Sequence, residues 1–323
     1  MRTRFLGEFI IFLILMLLIS LKSFAQSDYV AYYNALVKAQ TYEANEDYEA
    51  AYQLYRTALT KAYPFPDEYI AAMRCCLKTA HTNDIPNLIR ELIGHGYKLE
   101  EMIYPFSYQT NCNNSHTYNY FPFQTYQQYF DSIYPLERAN YLSHERIINS
   151  QYINSLSTVE EMIYQQRSFD MNDTLLENSY LKLLFPYFLE MEKSKINVSR
   201  ENTDTWLDMK FLAGLLHTGQ VIFSVDTVKY QQFEVFLWNM VLQGNIHIQQ
   251  YAVIVDAIYN INNQVGIYGE QRMINSFNNP QLAPVKDIEN VDSIRASILL
   301  SPLWVKCKLT NVKPPEGYTY KQK

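Results

Sequence analysis

The sequence predicts an all-α protein, with a lobe of helical hairpins near the N-terminus packed on a helical C-terminal domain. Three observations carry this prediction. Nine glycines in 323 residues are too few for a fold built on many tight β-turns. Apolar residues recur at helical spacing along most of the chain. Helix-opening patterns recur as well, at Asn45-Glu46-Asp47, at Ser157 with Glu160 and at Thr174 with Glu177.

Residues 1–25 read as an export signal. Arg2 and Arg4 give a positive start, Phe9 to Ile19 is an uninterrupted apolar run, and Ser23-Phe24-Ala25 offers the small residues that a signal peptidase needs. Cleavage before Gln26 is expected, with a periplasmic or secreted product. The apolar run is shorter than the roughly 20 residues of a bilayer span, and no Cys follows it as a lipid anchor would require. The mature chain is therefore expected to have no membrane span.

Removing Arg2, Arg4, Lys22 and Glu8 with the signal takes the formal charge from −6 to −8. That sign disfavours nucleic acid and anionic lipid as partners. Twenty-eight tyrosines supply side chains that pack through the ring and keep a polar tip. Cys75 and Cys76 are neighbours, so on a helix they point about 100° apart and cannot share a metal. With Cys112 and Cys307 they are expected to be buried small apolar residues, although a bridge from Cys75 or Cys76 to Cys112 stays open. No metal or cofactor is expected.

Residues 26–95 carry two helical hairpins. With Ala51 at the tight crossing, Ala39, Tyr42, Tyr55, Ala58 and Tyr63-Pro64 fall at signature places, and this run resembles one tetratricopeptide repeat. A step of about 34 residues lands on Met73, Cys76, Ile85, Ile89 and Leu92, apolar but without the small-residue signature. Two units cannot cover their own apolar faces and must lean on the C-terminal part of the chain.

Residues 96–130 form an aromatic connecting segment interleaved with Asn and Pro. Its rings and amides suit a glycan or small ligand, with Tyr108, Tyr118, Tyr120, Phe121 and Tyr126 as candidate contacts. The competing reading is a cover pinned to the helices by its rings. Residues 131–312 return to helix, with segments predicted at about 204–217, 227–243 (stopped by Gly244), 248–260 and 289–299. Residues 313–323 read as a loose polar tail.

In the last third, Tyr251-Ala252 to Asp256 precedes Gly266-Ile-Tyr268-Gly269-Glu270-Gln271. Pro284-Val285, Val291-Asp292 with Arg295, and Pro302-Leu303 come after it. That order resembles domain of unknown function family 6624, over roughly residues 204–305. The resemblance places His217 where the family often has a His. Two departures stand out: Ala257 follows Asp256 where the family usually has Arg, and Glu270 replaces the turn Thr. The resemblance implies a fold and no chemistry.

Read physically, Gly269 supplies a positive φ and Gln271 is free to bond the backbone. Asp292 and Arg295, three apart, are expected to pair, or Asp292 to cap its helix. A catalytic reading gathers His217, Asp256, Glu270 and Asp292 round a cleft as acid, base or ligands, as in a hydrolase. No tight metal spacing or nucleophile motif supports it. The sequence therefore favours a non-enzymatic scaffold or interaction protein of the cell envelope with a protein partner, then a glycan or small-ligand binder, then the hydrolase.

Overall fold

The computed structural model describes residues 28–95, 122–144, 215–216, 219–220, 222–223, 227–263, 265–273 and 280–320. The fold is all-α. The helices are α1 (28–44), α2 (Tyr48–Leu59), α3 (Pro66–Lys78), α4 (Ile85–Gly94), α5 (Gln127–His144), α6 (Thr227–Leu242), α7 (Ile248–Asn263), α8 (Val291–Ser297) and α9 (Leu303–Thr310).

The first four helices make the two hairpins. Glu46 turns the chain with φ 67, and the Asp47 carboxylate then accepts the Ala50 N–H at 3.1 Å to open α2. Pro66 opens α3, where a missing N–H costs nothing. Ala39, Ala51 and Ala58 are fully buried, so their small side chains let the helices approach closely, while the Tyr42 ring is exposed. Met73, Cys76, Ile85, Ile89 and Leu92 are also fully buried. A buried polar tie crosses the first hairpin: the Tyr55 hydroxyl donates to Glu43 Oε2 at 2.6 Å, and Arg74 from α3 donates to Glu43 Oε1 at 2.8 Å.

Cys75, Cys76 and Cys307 are free, buried thiols; Cys112 lies outside the described residues. Burial pushes Cys76 and Cys307 each up to about 11, so both stay protonated at neutral pH. They pack as apolar groups.

α6 stops as predicted. Gly244 takes φ 70, and the Asn245 N–H returns to the Met240 carbonyl at 2.7 Å. One continuous apolar core runs from Tyr29 in α1 through α6 and α7 to Leu300, so the hairpins lean on the C-terminal helices. A smaller core of Leu282, Val291, Leu303, Cys307 and Val312 sits beneath α8 and α9. No described helix is long and apolar enough to cross a membrane.

Between α7 and α8, where the sequence predicts a turn at Gly269, residues 265–273 and 280–290 form turns and isolated bridges, Gly266 with Val285 and Arg272 with Leu282. Pro280 and Pro284 lack the N–H that a helix needs there, and Asp256 takes the N–H groups of the turn. One expectation needs correction: the tail is not loose as far as Tyr320. Lys313 exchanges backbone bonds with Pro280 and Leu282 at 2.8 and 2.9 Å, and the Tyr318 hydroxyl donates to Asp292 at 2.8 Å.

Candidate functional site

Asp256 sits on the third turn of α7 with no exposed surface. Its Oδ1 accepts the N–H groups of Ile267 and Tyr268 at 2.6 and 2.7 Å, and Oδ2 accepts that of Glu270 at 2.6 Å. The carboxylate thus folds the 266–270 turn around itself. Gly266 makes this fit, because a Cβ there would lie 3.1 Å from the carboxylate. Burial pushes the Asp256 carboxyl up, while the three N–H donors pull it back toward the ionised form.

The same turn is closed from the other side. Gly269 has φ +74, and a Cβ there would meet Leu303 at 3.0 Å. Gln271 donates its amide to the Val253 carbonyl at 3.0 Å. Tyr268 packs tilted against Tyr251 at 6.2 Å.

Arg295 is the strut under the turn, 1% exposed. It donates to the Ser301 carbonyl at 2.6 Å, the Tyr268 carbonyl at 2.6 Å and Glu270 Oε1 at 2.8 Å. Lys306 of α9 pairs with Glu270 Oε2. Burial pushes the Glu270 carboxyl up, but Lys306 and Arg295 overcome it and hold Glu270 below its usual value.

Asp292 neither pairs with Arg295 nor caps α8, which starts from Asn290. Its Oδ1 accepts the Leu303 N–H at 2.7 Å, fastening the start of α9, and its Oδ2 takes the Tyr318 hydroxyl. Arg295 is drawn away because Glu270 and two carbonyls offer it a fully buried set of acceptors. Ala257 follows Asp256, and the Asp256 carboxylate binds backbone donors.

Of the expected constellation, Asp256, Tyr268, Gly269, Glu270, Gln271 and Arg295 converge on one turn, with Asp292 reaching it through Leu303. His217, Tyr108, Tyr118, Tyr120 and Phe121 lie outside the described residues. Tyr126 ends a short 3-10 turn, Phe123–Tyr126, and packs half-buried against the core.

Two features carry no signal in the sequence. Tyr230, Tyr251, Tyr259 and Tyr268 gather near Glu234, whose carboxyl burial pushes up and to which the Tyr251 hydroxyl donates at 3.3 Å. The second is a cleft of about 370 Å³ lined by Asn45, Trp304, Lys308, Pro314, Tyr318 and Tyr320, beside Cys307. Trp304 and Tyr320 rings lie 4.7 Å apart, and the backbone N–H of Trp304 donates to the Tyr318 hydroxyl at 3.2 Å. Asn45 comes from the first hairpin turn, more than 250 residues before Trp304, so no local pattern announces the cleft. Among the described residues no group of three His, Cys, Asp or Glu is placed to hold a metal ion. No family model, curated protein or solved structure matches this chain.

Proposed function

We propose that the protein is an exported, non-enzymatic binding module of the cell envelope, holding a protein partner without turning over a substrate. One observation supports this best: Asp256, Glu270 and Asp292, the carboxylates that acid–base chemistry would use, each spend their oxygens on the fold. A carboxylate locked to backbone N–H groups or buried cations is poorly placed to shuttle a proton. Export rests on residues 1–25 of the sequence. The resemblance to the uncharacterised family belongs to the same reading, with its motif serving to hold the 266–271 turn.

A partner surface is supported by exposed apolar residues on α6 and α7. Val228 and Val235 are seven apart and share one stripe, and Val253 and Ile261 are exposed on the next helix. Photo-crosslinking from positions 235 and 261 in the native host tests the reading. Capture of one defined protein from both positions, abolished by Val235→Glu, is the expected result. Capture of none from either position contradicts it.

The cleft favours a second reading, a seat for a short saccharide. Ring faces of Trp304 and Tyr320 suit the apolar CH face of a sugar, and the Asn45 amide and Lys308 ammonium suit its hydroxyls. Titration of the mature chain with mono- and disaccharides, monitored by Trp fluorescence, should give saturable changes that Trp304→Ala and Tyr320→Ala remove. A flat response up to millimolar sugar rejects this reading.

A further inference from the structure

The start of α7 is fastened to the N-terminal hairpins through one ionisable pair. His247 stands at its N-cap: Nδ1 accepts the Gln249 N–H at 3.1 Å, and the His247 N–H donates to Gln250 Oε1 at 2.8 Å. The next N–H, of Ile248, donates to the Tyr33 hydroxyl on α1 at 3.2 Å. His247 Nε2 then lies 3.1 Å from Glu68 Oε1 on α3, with the two side chains 10% and 4% exposed. Tyr33 and Phe65 rings stand edge-on to the imidazole at 5.5 and 5.0 Å.

The titratable groups that face this imidazole are acidic or phenolic. They are Glu68 and Asp67 from α3, Tyr33 from α1, and Glu270 from the turn, with which the cations Arg295 and Lys306 both pair; Tyr32 of α1 faces Glu68. Neither Glu68 Oε2 nor His247 Nε2 completes a hydrogen bond, so the two groups meet through their charges at 3.1 Å. With a neutral imidazole, the pair therefore buries one net negative charge in a low-dielectric junction; with a proton on His247 it buries none. That proton must go to Nδ1. It displaces the Gln249 N–H and sets a positive charge at a helix N-terminus, where the macrodipole resists it.

We propose that His247 and Glu68 form a pH-responsive latch between the hairpins and α7. In its protonated form the latch ties α7 to α3 by an ion pair across the junction. In its neutral form His247 keeps its cap on Gln249 and faces Glu68 without a charge to offset the carboxylate, so it holds α3 more weakly. Both forms face Glu68, and only the neutral form keeps the Gln249 cap, so protonation trades that cap for a full ion pair across the junction.

The surroundings set the sign. Burial pulls the imidazole down, but Glu68, with smaller shares from Asp67 and Glu270, raises it above its ordinary value. The latch therefore contributes fully below the ordinary histidine value of about 6.5 and is lost as pH rises through the higher folded value.

The test uses the full mature chain, with His247→Asn, which keeps an N-cap acceptor but does not titrate, and Glu68→Gln. NMR titration of the histidine Cε1–H signals identifies His247 by its absence from the Asn variant. It should titrate above the ordinary value in the wild type and at least about one pH unit lower in Glu68→Gln. Between pH 5.5 and 8.5 the wild-type Tm should fall several degrees more than that of His247→Asn. A His247 that titrates at or below the ordinary value, or identical Tm profiles for wild type and His247→Asn, overturns the latch. Where His247→Asn does not fold, nuclear Overhauser contacts from Cε1–H to the Tyr33 and Phe65 rings assign the wild-type signal, and its titration decides.

Discussion

In the hairpins the deeply buried side chains are mostly apolar, such as Ala39, Ala51, Met73, Leu88 and Leu92, with one buried ion pair, Glu43 with Arg74, among them. Around the 266–271 turn the comparable positions are Asp256, Glu270 and Arg295, charged groups whose bonds are almost all to backbone or to one another. Apolar packing is non-directional and degrades by degrees as volume is lost. A buried charge cluster behaves otherwise, because removing one member strands the rest without solvent. The two regions therefore differ less in how strongly they are held than in how they fail.

Glu270→Ala should have the largest effect. It leaves Arg295 buried beside Lys306 with no counter-charge, and urea unfolding should show a loss of about 4 kcal/mol. Leu88→Ala in the hairpins should cost about 3 kcal/mol by the same measurement, from lost burial and the cavity left behind.

Acid separates the two further. Glu270 is held below its usual value, so its contribution is present above the ordinary glutamate range and is lost as pH falls through the lower folded value. Unfolding between pH 5 and about 2.5 should thus be blunted in Glu270→Gln and unchanged in slope in Leu88→Ala.

Gly269→Ala comes next, at about 2 kcal/mol in thermal unfolding, since it forces a Cβ onto φ +74 and against Leu303. The smallest effect is Tyr55→Phe. It removes the hydroxyl donor to Glu43 Oε2 while Arg74 stays on Oε1, and should cost about 1.5 kcal/mol in urea.

Whether a feature of this molecule is legible in the sequence depends on whether it is local. The hairpin helices, the stop at Gly244, the positive φ at Gly269 and the backbone bond of Gln271 follow from spacing and residue chemistry within a few positions. Convergence of Asp256 with the turn is visible only as an order of motif residues. Its role is not, because the partners are backbone N–H groups that every sequence has.

Lys306 lies 36 residues from Glu270 and gives no pattern. Asp292 misleads for the same reason: three-residue spacing suggests Arg295, but the stronger claim on Arg295 comes from a turn 25 residues earlier. His247 and Glu68 meet only because two lobes pack. The Asn45–Trp304 cleft likewise exists only in the folded chain.

If these carboxylates serve the fold, Glu270 and Arg295 must be energetically coupled, which a double-mutant cycle measures. Urea unfolding of Glu270→Gln, Arg295→Met and the double variant isolates their mutual term. A coupling of about 2–3 kcal/mol, with the double variant less destabilised than the two single losses added together, is the predicted result. Single variants with wild-type stability and coupling near zero would contradict it.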